Sequence, residues 1–207
     1  MDKKTLLIAL VAVLAIAGSV VHLVRSNSGD SPRASTKPFE YLGSTLAAET
    51  AALLNNQGSV VLVVETMDGT KNPSAEAQVK GFKAGLGKSK GVTLKEVREL
   101  PRSMSEDPRF WPPQHATKLA GMGAGAKALV YLGNFPQSLP PNDIAALKGS
   151  QASLVVLGTQ SPLVKSLVDS GVIRLAVVGK TPPPPAPGGT ETPPQWFARV
   201  YAVQKAK

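Results

Sequence analysis

Four stretches of this chain are apolar almost without interruption and rich in β-branched residues: SVVLVVE (59–65), KALVYLG (127–133), ASLVVLG (152–158) and IRLAVVG (173–179). A strand with one wet face alternates polar and apolar residues, whereas a continuous apolar run has to be covered on both faces. Segments of helical spacing lie between these runs. An Ala-rich stretch from 44 to 56 carries Leu46, Leu53 and Leu54, and PSAEAQVKGFKAGLGK (73–88) places Val79, Phe82 and Leu86 on one face. Further helices are expected around 115–121, at 140–149 with a cap near Asn142, and at 161–171 with Pro162 in the first turn. VTLKEV (92–97) alternates and adds a strand. This order predicts an α/β fold: a three-layer, open parallel sheet of about five strands with helices on both faces. WFARVYAV (196–203) adds a strand or a segment docked on the domain through Trp196 and Phe197.

The flanks have a different character. Lys3 and Lys4 precede an uncharged, largely apolar run from Thr5 to Val24, closed by Arg25. As a helix that run is about 30 Å long, the thickness of a hydrocarbon core. Ala15-Ile16-Ala17 has the form of a signal-peptide cleavage site, but Val20, Val21, Leu23 and Val24 continue the apolar run beyond it. Span length favours an uncleaved transmembrane helix, and the flanking lysines place the N-terminus in the cytoplasm. The expected organisation is a membrane anchor at 1–25, a Ser/Pro-rich linker at 26–38 and an α/β domain at 39–180. A Pro-rich segment follows at 181–194 and a C-terminal segment at 195–207. The 181–194 stretch holds seven of the 18 prolines. It reads as a semi-rigid polyproline spacer, with a ligand for a proline-reading domain as the sharper alternative.

Several chemistries are excluded. With no cysteine there are no disulfides and no thiolate sites, and two histidines, His22 and His115, are too few for a histidine zinc centre. No G-x-S-x-G occurs, and no nucleophile–base or carboxylate pair stands out. No catalytic residue, metal or cofactor is therefore expected. The net charge of +9 is spread out, with some concentration from Lys80 to Arg102 where Phe82 is the one interleaved aromatic, which reads as solvated helix faces and no nucleic-acid partner. Gly121 to Ala126 fits G-x-G-x-x-G/A, but it enters a strand from a helix, whereas a phosphate cradle opens a helix. It is expected to be a turn. Gly87-Lys88-Ser89 imitates the end of a P-loop, yet Phe82 occupies the place of the first glycine.

LAAETAALLNNQGSVVLVVE (46–65), Gly81-Phe82, Lys90-Gly91-Val92 and SPLVKSLVDSGVIRLAVVGKTP (161–182) together resemble the second lobe of the type I periplasmic binding proteins. That family includes sugar-binding lipoproteins and the effector domains of lactose-repressor-like regulators. The resemblance spans most of 39–203 and implies a single lobe, where family members close two lobes around a ligand. Gln78 and Val79 stand near the family's usual basic residue, and Gly158 to Ser161 replace its sugar-binding aspartate. In open α/β sheets ligands sit beyond the carboxyl ends of the strands. The candidate ligand residues in those loops are Asp68, Asn72, Trp111, Asn134, Thr159 and Gln160. One aromatic among amides suits a sugar, and the plainer reading is ordinary loop polarity. The expected function is non-catalytic: a membrane-tethered binding or interaction domain on the periplasmic side of a bacterial inner membrane. It would take a small polar solute such as a sugar, a protein partner or a second copy of itself. The alternative is a structural envelope protein that keeps the fold without a ligand.

Overall fold

The computed structural model describes residues 35–70, 72–159 and 161–207, and the folded unit runs from Thr36 to Lys207. Its elements are α1 (Lys37–Leu53), β1 (Gly58–Met67), α2 (Pro73–Leu86), β2 (Val92–Arg102), α3 (His115–Met122) and β3 (Ala128–Leu132). They continue with α4 (Pro141–Lys148), β4 (Ser153–Thr159), α5 (Pro162–Asp169), β5 (Ile173–Gly179), α6 (Pro193–Val200) and β6 (Tyr201–Lys205).

The six strands form one sheet in the order β2-β1-β3-β4-β5-β6. Strands β1 to β5 are mutually parallel where they pair, and β6 lies antiparallel to β5. The continuous apolar runs behave as their composition requires. In β1, Val61 and Val63 enter one core with residues of α3, α4 and α5, while Val60, Leu62 and Val64 enter the other with α1, α2 and α6. Tyr131 and Phe82 are the largest fully buried side chains.

Helix starts follow local chemistry. Asn72 Oδ1 accepts a hydrogen bond from the Ser74 N–H at 2.9 Å, with Pro73 at the first helical position of α2. Ser161 Oγ accepts from the Val164 N–H at 3.1 Å and starts α5 in the same way. Gly121 to Ala126 ends α3 and turns into β3, with Gly125 at φ +69°.

Three expectations need correction. The sheet has six strands and is mixed, because 196–203 divides between α6 and the antiparallel strand β6. β6 starts at the residue after α6 ends, beside Gly179 at the carboxyl end of β5, so it can only run back along its neighbour. α1 begins at Lys37, inside the expected linker, since a proline is tolerated in a first helical turn. β2 extends to Arg102 and carries a bulge at Lys95, where its register with β1 steps from Leu94 to Glu96. The expected transmembrane helix at 1–25 lies outside the described residues, among which no helix is long and apolar enough to cross a membrane.

Candidate functional site

The chain passes from β1 to β2 on one side and then crosses back from β2 to β3 on the other side of β1, so the direction of winding reverses between β1 and β3. Such a reversal leaves a crevice outside the carboxyl ends of the strands. A cleft of about 540 Å³ lies there. Its floor is formed by Glu65 and Met67 from β1, Leu132 to Phe135 at the end of β3, and Leu157 and Gly158 from β4. Asn72, Ser74 and Gln78 at the start of α2 form one wall, with Met104 and Tyr201 on the rim.

Beneath the cleft is a buried polar cluster built around Glu65, whose side chain is 4% exposed. Glu65 Oε1 accepts from the Tyr131 hydroxyl at 2.8 Å and from Arg102 Nη1 at 3.5 Å, and Oε2 accepts from the Asn134 N–H at 2.9 Å. His115 Nε2 lies 3.3 Å from the Tyr131 hydroxyl. Arg102 Nη2 donates to the carbonyls of Asp107 and Phe110 at 2.6 and 2.8 Å, which folds the 103–113 loop onto the end of β2. Arg102 Nε faces Glu106 Oε2 at 3.3 Å without an aligned hydrogen bond.

Burial shifts two groups of this cluster, His115 and Tyr131. Burial, reinforced by Arg102, lowers the His115 pKa to about 4, so the ring is neutral at pH 7. Tyr131 is pushed well above its usual value by burial and by Glu65, and remains a hydroxyl donor. Burial also raises Tyr201 at the rim.

Asn72 and Asn134 line the cleft together. The Asn134 backbone is fixed at both ends, through Glu65 Oε2 and through its carbonyl, which accepts from Trp111 Nε1–H at 2.9 Å. Trp111 lies below the surface, 8% exposed, with ring centroids 4.9 Å from His115, 5.6 Å from Tyr131 and 4.9 Å from Phe135. Asp68 is exposed outside the cleft lining, and its Oδ2 accepts from the Met104 N–H at 3.0 Å. Thr159 is the last residue of β4, opposite Gly179, and Gln160 lies outside the described residues.

The sequence reading did not select Glu65, Gln78 or Tyr201 as ligand residues, nor the Arg102–Tyr131–His115 support. A visible signal was Glu65 itself, a lone carboxylate closing an apolar strand at the ligand edge. Both Glu65 oxygens are engaged and His115 is 2% exposed, so neither is placed as a general base. Among the described residues no cluster of three His, Cys, Asp or Glu side chains has the arrangement of a metal site. The polar side chains lining the cleft besides Glu65 are the amides of Asn72, Gln78 and Asn134 and the hydroxyls of Thr70, Ser74 and Tyr201, groups suited to hydrogen bonding.

No family model matches the sequence, and no curated protein matches it. Solved structures of sugar-type solute-binding proteins are similar to it. One is an ABC transporter solute-binding protein from Burkholderia graminis in complex with D-arabinose, at 18% identity and a TM-score of 0.48, covering 67% of this chain and 46% of that one. A sugar-binding protein from Bacillus halodurans gives 17% identity and 0.48, covering 67% and 45%. A periplasmic solute-binding protein from Actinobacillus succinogenes with bound D-allose gives 14% and 0.47, covering 69% and 46%. The chain spans less than half the length of each of these.

Proposed function

We propose that this chain is a non-catalytic binding domain that holds a small hydroxylated solute, such as a sugar, in the cleft between the ends of β1 and β3. The observation that carries this reading is the position of the cleft. It sits at the winding reversal, lined by Asn72, Gln78, Asn134 and Tyr201 together with Met67, Phe135 and Leu157. Amides and a phenol over apolar carbon suit an uncharged polyol, which offers hydroxyls at its edges and C–H faces between them. Thr159 ends β4 at the same edge, while Asp68 and Trp111 hold the surrounding loops in place. The sequence of 1–35 supports an anchor and tether that fix the domain on the extracytoplasmic side of a membrane. If the anchor is uncleaved, the intact mass of membrane-extracted protein includes Met1 or begins at Asp2. A mature start at Gly18 would overturn the anchor and leave the cleft reading untouched.

Sites that hold small ligands tightly bury about 70–90% of the ligand surface. Among the described residues nothing stands across the mouth of this cleft, so one face of a bound sugar stays in water. Calorimetric titration of the full chain with D-arabinose, D-allose and related monosaccharides is expected to give dissociation constants near 1 mM, about −4 kcal/mol. Asn134→Ala is expected to abolish the heat without shifting the melting temperature. No heat with any sugar, from a chain that sediments as a monomer, would favour the structural envelope reading.

A further inference from the structure

The segment between β5 and α6 leaves and re-enters the same sheet, since Gly179 and Tyr201 are paired. Every residue from Thr181 to Thr190 is exposed, in the sequence TPPPPAPGGT. Thr181, Pro182, Pro183, Pro184 and Ala186 each precede a proline, which drives them to extended backbone, and each proline holds its own φ near −65°. Beyond the bend at Thr181 and Pro182, the restricted backbone of Pro183–Pro187 favours a left-handed polyproline helix with about three residues per turn and no internal hydrogen bonds. That spacing puts Pro184 and Pro187 on one ridge.

This helix is clamped. Arg199 of α6 donates from Nε and Nη2 to the two carboxylate oxygens of Glu191 at 2.8 and 2.7 Å, and from Nη1 to the Pro184 carbonyl at 2.9 Å. The Arg199 and Glu191 side chains are 19% and 13% exposed, so the pair is largely shielded from water. At the other stem the Lys180 N–H donates to the Val200 carbonyl and Lys180 Nζ to that of Ala198, both at 2.7 Å. A spacer has two bodies to separate and gains nothing from a tie at its midpoint. A ridge held outward at its middle and at both stems has the form of a recognition element.

We propose that Pro182–Pro187 is a docking ligand for a partner protein with an aromatic-lined groove of the kind that reads polyproline helices. The prolines already restrict the unbound segment to extended backbone, so binding loses little conformational entropy. Prolyl rings pack on aromatic faces, and the unpaired carbonyls accept from groove donors. The Pro-rich segment shares no residue with the cleft.

The test is a titration of isotope-labelled SH3, WW and EVH1 domains with the full chain in detergent micelles, followed by NMR. The expected result is a set of shift changes confined to the aromatic groove of at least one domain, with a dissociation constant on the order of 10⁻⁴ M. Replacing Pro182 to Pro185 with alanine is expected to weaken binding at least tenfold. Glu191→Gln, which loosens the clamp and leaves the prolines, is expected to weaken it several-fold, both variants keeping the parent melting transition. No shift in any domain at millimolar chain, or equal binding by the alanine variant, would overturn the proposal. Sugar titration of the alanine variant separates the two sites, since its cleft is intact.

Discussion

Glu65 ties together residues that are remote in the chain. Its carboxylate accepts from Tyr131 and Asn134 and faces Arg102, whose side chain is fully buried. Removing one partner of a buried pair leaves the other charge uncompensated. Glu65→Leu is expected to cost about 3 kcal/mol or more in urea unfolding. Glu65→Leu combined with Arg102→Met should cost less than the sum of the two single changes. Strict additivity would show that the two side chains act independently. His115 makes the same cluster sensitive to pH. Unfolded, the ring takes a proton near pH 6.5, while burial and Arg102 hold its folded pKa at about 4. The unfolded state therefore binds more protons between these values. Stability is full above about pH 6.5 and falls by up to about 3 kcal/mol as pH drops toward 4, then levels off. Denaturant melts of His115→Gln across this window should lose that slope. The sequence alone placed Asn72 and Asn134 at the carboxyl edge of the sheet, because strand ends and caps are local signals. It did not assemble the Glu65 cluster, whose partners Arg102 and Tyr131 lie 37 and 66 residues further on.

Among the elements, α1 and α2 meet closely. A Cβ added at Gly43 would overlap the Gln78 carbonyl, and one at Gly81 would overlap that of Glu40. One at Gly85 would come within 2.8 Å of the Ser44 carbonyl. The two helices touch backbone to backbone, which gives the Gly81-Phe82 pair a physical reason: glycine permits the approach, and Phe82 fills the core beside it. Gly81→Ala must push α2 off α1 and is expected to cost about 2–3 kcal/mol. Gly121→Ala, in α3 with nothing within 4 Å, is expected to gain about 0.5–1 kcal/mol from helix propensity. Thermal or urea melts of the two variants should move in opposite directions. The strand runs were the most legible elements, since continuous burial leaves few alternatives. The start of α1 was hidden because Pro38 carries a linker signal and a first-turn signal at once.

At the scale of the whole molecule, the last residues close the fold. Trp196, Phe197, Tyr201 and Val203 pack against the core on the α1 side, and the rings of Trp196 and Phe197 contact Phe39 and Tyr41. A chain ending at Gly179 would uncover the inner edge of β5 and that apolar surface. It is expected to melt at least about 10 °C lower than the full chain and to aggregate on heating, as calorimetry and light scattering would record. Parallel order for five strands followed from the alternation of strands and helices. The reversal of β6 did not, because it depends on α6 ending beside Gly179 with no further residues for a crossover.

The outer strands have one more consequence. β2 carries the Lys95 bulge, Pro101 without a donor and a run of alternating charges, while β6 is short and its Lys205 is paired with Glu49 at 2.7 Å. Neither border offers the flat, unbroken ladder from which fibrils propagate. Strand-to-strand pairing between copies is therefore disfavoured while the fold is intact, and association of that kind has to begin with unfolding.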